Sequence, residues 1–139
     1  MIKALSTTRN RNRTFILFAV CGVLAITAAA IGIDDNPPGL LLVFLSATAF
    51  ILAFVHPWRT SKQFRSLIYA SVLGFIVFGI LHNVFDFVAW KLGGSGLVPG
   101  LLNGASGAFF LAILLCPPGL LVGAIGAVVM FRQERRSQP

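Results

Sequence analysis

Charge is scarce in this chain. Only 11% of its 139 residues are charged, against about 25% in a soluble domain. A water-facing surface cannot be built from so few at this length. Acids are scarcer still, with 4 Asp and Glu against 11 Lys and Arg. Cysteine is limited to Cys21 and Cys116. Neither has a CxxC partner or a nearby His, which excludes a redox motif and a zinc site on spacing, and both read as small buried hydrophobes. No nucleophile stands beside a base, no metal-ligand cluster recurs, and no glycine loop is built to cradle phosphate, so enzymatic classes rank last. No cofactor and no metal is expected.

What is present is apolar: 57% of the residues are hydrophobic. The formal charge of +7 would suit nucleic acid, but its placement excludes that partner. The cations fall in short clusters between apolar runs, as in membrane proteins. A single integral membrane domain over residues 1–139 is expected, all-α and polytopic, with the lipid bilayer as its environment.

A basic start (Lys3, Arg9, Arg11, Arg13) leads into an uncharged run from Thr14 to Ile33, and twenty residues at about 1.5 Å each match the hydrocarbon thickness. A cleaved signal peptide is the alternative, but the run continues past Ala28-Ala29-Ala30 and exceeds a usual signal core. Asp34-Asp35-Asn36-Pro37-Pro38-Gly39 then has turn chemistry, with Asn36 able to cap and Pro37 suited to the first helical position. The spacing predicts four spans, over residues 14–33, 37–56, 66–90 and 105–131. His56-Pro57-Trp58-Arg59 ends the second, and Trp90 with Lys91 makes an interfacial end for the third. Residues 92–104, rich in glycine, read as a loop with a re-entrant alternative. Cutting the last run at Pro117-Pro118 would leave a piece too short to cross, so a kinked single helix is expected there.

An even number of spans puts both termini on one side. Ten of the eleven Lys and Arg then share that side, and the positive-inside rule makes it cytoplasmic. The expected location is a cell membrane, of the bacterial cytoplasmic type.

Within the apolar runs, Phe78 to Trp90 alone carries clearly polar or ionisable groups other than Ser and Thr: His82, Asn83 and Asp86. An ionisable residue at membrane depth is a functional candidate by default. His82 and Asp86 are four apart and share a helical face. One reading is an outward-facing cation or proton site, completed by Asp34 or Asp35 from the neighbouring loop. The other is a packing pin, in which His82 pairs with Asp86 and Asn83 bonds the backbone of another helix. The pin is preferred, because two donors on one helix do not complete a coordination sphere.

Pro117 and Pro118 remove two backbone donors from the last helix. Gly119, Gly123 and Ala127 on that helix, and Cys21, Ala25 and Ala29 on the first, recur at a spacing of four. Such small residues let helices approach closely, here for packing within the chain, with a homo-oligomer or a membrane-protein partner as further possibilities. The function expected is a non-catalytic structural or accessory membrane component. A small oligomeric transporter or ion-handling protein acting through His82 and Asp86 ranks second. The chain resembles the small multidrug-resistance transporters in size, but that family carries a membrane-embedded Glu in its first helix, and residues 14–33 have no acid.

Overall fold

The computed structural model describes residues 8–33, 36–92 and 98–136. Among them there is helix and no strand: α1 (Thr8–Ile31), α2 (Pro37–Val55), α3 (Ser61–Leu92), α4 (Val98–Phe110), a π-helical turn (Leu111–Leu115) and α5 (Cys116–Arg136). The last three are continuous. The described chain therefore has four helices long and apolar enough to cross a membrane: Arg9–Ile31, Pro37–Val55, Ser61–Leu92 and Gly100–Arg136.

Three of these begin before the expected bounds, the first at Arg9 within the basic start. The third begins at Ser61, because Thr60 and Gln63 form half of a capping box: the Gln63 side-chain oxygen accepts from the Thr60 N–H at 3.3 Å and the Arg59 N–H at 3.1 Å, which gives donors ahead of the helix a partner. The fourth begins at Val98, inside the stretch read as loop. Pro99 falls in the first turn, where a missing N–H is tolerated. Gly104 lies in this helix and packs against α3, where a methyl group would stand 3.1 Å from the Phe85 ring.

The α1–α2 hairpin depends on two glycines. Gly32 takes φ +91°, a left-handed conformation that ends α1, and donates to the Ala28 carbonyl at 2.9 Å. Gly39 lies against the Gly32 carbonyl oxygen, where any Cβ would collide. Asn36 occupies the cap position of α2 but does not cap it with its side chain. Pro37 and Pro38 follow it and offer no N–H. The Asn36 amide instead donates to the Ile31 carbonyl at 3.1 Å, closing the end of α1.

Along this hairpin the Ser46 hydroxyl donates to the Cys21 carbonyl at 2.9 Å, with the Cys21 sulfur 3.3 Å from the same oxygen. Phe18 meets Phe50 and Phe54 edge-on, ring centroids 6.0 and 5.6 Å apart. Cys21 and the fully buried Ala28 face α2, whereas Ala25 and Ala29 are exposed. Steps of four residues drift about 40° per step on a helix of 3.6 residues per turn, and steps of seven drift about 20°. The expected stripe therefore turns away from the contact.

The last helix presents small residues to α3 along its length. Ala105, Ala108, Ala112, Cys116, Gly119 and Gly123 are all buried. A Cβ on Gly123 would stand 2.8 Å from Ile68 Cγ1 and 3.1 Å from the Phe64 carbonyl oxygen, and one on Gly119 or Gly126 would collide with Ser71 or the Phe64 ring. Gly119 and Gly123 thus pack within the chain, and Ala127 rests on the core cluster of Ile51, Val55 and Phe64. Gly126 escapes a spacing of four but lies on the same seam.

The helices follow one another laterally as α1, α2, the last helix and α3. Among the described residues α1 approaches α2 alone, and α2 reaches the last helix at the π turn and α5. Helix α3 runs beside the whole of the last helix. The π turn directly precedes Cys116-Pro117-Pro118. Two successive prolines deprive the preceding turn of donors, and the freed groups need new partners in hydrocarbon. At the same turn the Cys116 thiol donates to the Leu111 carbonyl at 3.4 Å.

Candidate functional site

His82 sits half-buried where α3 meets α4. Its Nδ1 is 3.1 Å from the Ala105 carbonyl oxygen, and its ring lies 5.3 Å from that of Phe109. A carbonyl oxygen only accepts, so Nδ1 carries the proton, a tautomer assigned from its partner. Nε2 is then an acceptor in the neutral ring. It faces Asp86 Oδ2 at 4.0 Å, beyond hydrogen-bond length. The Asp86 side chain is 54% exposed and that of His82 31%. His82 therefore turns toward a neighbouring helix, while Asp86 stands at an open recess beside Ala89, Trp90 and Leu102. Lys91 closes this end of α3, its ammonium 4.9 Å from the Trp90 ring centroid.

Asn83 does not join them. It is exposed, and its amide donates to the Gly79 carbonyl of its own helix at 2.7 Å, so the expected bond to another helix is absent. The reason is angular: adjacent helical residues diverge by about 100°, and the α4 contact takes the His82 side. Asp34 and Asp35 lie outside the described residues. Among the described residues no group of three or more His, Cys, Asp and Glu could hold a metal ion; His82 and Asp86 would offer one nitrogen and one carboxylate.

Three threonines of the apolar segments also bond backbone. Thr14, Thr27 and Thr48 donate to carbonyls four residues earlier, Asn10, Val23 and Phe44. His56, at the end of α2, has Nδ1 3.1 Å from the Ala53 carbonyl oxygen, and its Nε2 is buried without a partner.

A second polar contact went unread in the sequence. Glu134, beyond the apolar run that ends at Phe131, accepts from the Ser61 N–H at 2.9 Å and from the Ser61 hydroxyl at 2.8 Å. One carboxylate thereby satisfies the start of α3 from the far end of the chain. The backbone bond first, then the hydroxyl bond, hold its pKa below the ordinary carboxylate value; desolvation opposes them, and the nearby Arg65 charge adds the smallest downward push. The helix start at Ser61 was the signal that could have revealed it, since its first N–H groups need acceptors. No protein-family model, curated protein or solved structure matches the chain.

Proposed function

We propose that the protein is a non-catalytic structural or accessory component of a cell membrane, threaded with both termini on the cytoplasmic side. One observation carries this reading: His82, half-buried between helices, donates its Nδ1–H to the Ala105 carbonyl and so ties α3 to α4. Ser46 does the same between α2 and α1. These are the bonds of a packing device, and polar contacts of this kind hold transmembrane helices together. The bend expected at Pro117-Pro118 belongs to the same proposal, supported by the π turn beside it; spin labels flanking the turn would lie at the full helical separation if the helix were straight.

The ion-handling alternative draws on one observation of its own, the 4.0 Å gap between the His82 Nε2 lone pair and the half-exposed Asp86 carboxylate, where a proton or cation would sit between two acceptors. Flux decides between the readings. Purified protein in proteoliposomes should carry neither protons nor Na⁺, K⁺ or Mg²⁺ above protein-free vesicles. A flux abolished by Asp86→Asn would establish the alternative.

The threading rests on the placement of ten of the eleven cations. Reporter fusions after Pro139 and between Gly93 and Gly96 should report opposite compartments, the first cytoplasmic. The same compartment for both would contradict four spans.

A further inference from the structure

A cleft of about 260 Å³ opens beside the proline break, between α3 and the last helix, lined by Ser71, Val72, Phe75, Cys116, Pro117 and Leu120 among others. Its walls are almost wholly apolar. A helix about 10 Å across is too wide for it, whereas a hydrocarbon chain is not.

Two stripes lead from this cleft to the basic end of the molecule. On α3, Val72 lies seven residues and Ile76 eleven residues past Arg65, so the three share one face, about 10 and 16 Å apart along the axis. All three are exposed. On the last helix, Pro117 and Arg135 are eighteen residues apart, about five turns, and so also share a face. Phe131 and Leu120 fall close to that stripe. Arg135 lies over Phe131, its guanidinium carbon 4.7 Å from the ring centroid. The Glu134–Ser61 bonds hold the two helices together at this end. The groove thus has two guanidinium groups at its mouth and an apolar recess at its other end. Glu134, the one acid near the mouth among the described residues, is held by Ser61 and also feels the Arg65 charge.

We infer that this groove binds an anionic phospholipid, with one acyl chain in the cleft beside Pro117 and the phosphate at Arg65 and Arg135. Charge complementarity selects the headgroup, since juxtamembrane Lys and Arg attract anionic lipid, and the narrow apolar recess selects the chain. The inference is independent of any role for His82 and Asp86.

Native mass spectrometry of the full-length protein, released from detergent with equal amounts of dioleoyl phosphatidylglycerol and dioleoyl phosphatidylcholine, tests it. The phosphatidylglycerol adduct should dominate by about thirtyfold, as expected for two cations at the headgroup at about 1 kcal/mol each. Arg65→Ala with Arg135→Ala should equalise the two lipids. Val72→Trp, which fills the recess, should remove the tight adduct, while Leu73→Trp, one residue around the helix, should leave it. Dihexanoyl phosphatidylglycerol should compete poorly because its chains are too short to reach, and this comparison stands even if Val72→Trp fails to fold. Equal binding of the two dioleoyl lipids overturns the inference. So does competition by the short-chain lipid as strong as by the long one, an unchanged adduct in Val72→Trp, or a lipid-free dimer as the dominant species.

Discussion

A carboxylate near the chain's end, Glu134, acts at the start of a helix that begins at Ser61. A helix N-terminus carries unpaired N–H groups and partial positive charge, both of which favour an anion. The consequence for pH follows from the depressed pKa. A carboxyl group with a lowered folded-state value stabilises the fold above its unfolded pKa and loses that contribution as pH falls through the lower, folded value. With an ordinary value of 4.5, the contribution is complete at neutral pH and disappears in acid. Glu134→Gln should therefore lower the melting temperature of detergent-purified protein at neutral pH, and the gap from wild type should close on acidification below that value. A gap constant across the titration would contradict the clamp. At this scale the sequence was only partly legible. That His82 and Asp86 share a helix face was readable from spacing, but the hydrogen bond of His82 to Ala105 was not, because a backbone acceptor leaves no mark in side-chain identity. Asn36 was placed at the right position with the wrong partner, since its amide donates back to the Ile31 carbonyl.

Elements in this molecule meet through what they lack. Gly119, Gly123 and Gly126 let the last helix lie directly on α3, with the Phe64 carbonyl and the Ile68 backbone nitrogen 3.1 and 3.2 Å from a Cβ at Gly123. Backbone cannot turn aside as a side chain can. Gly123→Ala should therefore destabilise by about 1–3 kcal/mol, the usual cost of overpacking. Gly107→Ala meets nothing within 4 Å and should stabilise by up to about 1 kcal/mol through helix propensity. Unfolding of both variants in mixed micelles checks the pair by sign; the same sign for both would contradict the seam. The glycines at 119 and 123 were legible from their spacing. Gly126 was not, because a seam on a helix alternates steps of three and four, and a fixed step of four follows it for two turns before leaving it. The same drift misplaced Ala25 and Ala29, and left Ala28 unread.

Among the described residues the molecule is an open row of four helices, with α1 attached through α2. That four helices are long and apolar enough to cross a membrane was legible, because length and hydropathy dictate it. Which helices touch was not, because lipid is as apolar as Leu and burial cannot direct the pairing. Close approach and a few polar bonds direct it instead, and His82 is the polar bond between α3 and α4. The most direct test is the melting temperature of purified wild type and His82→Ala, each measured with and without Zn²⁺, Mn²⁺, Ca²⁺ and Mg²⁺. If His82 is a pin, the variant melts lower in cation-free buffer, by the equivalent of about 0.6 kcal/mol and at most about 1.7, and no cation moves either protein. If His82 and Asp86 hold an ion, the wild type instead gains stability with added cation by mass action. A cation-dependent rise that His82→Ala abolishes would contradict the account.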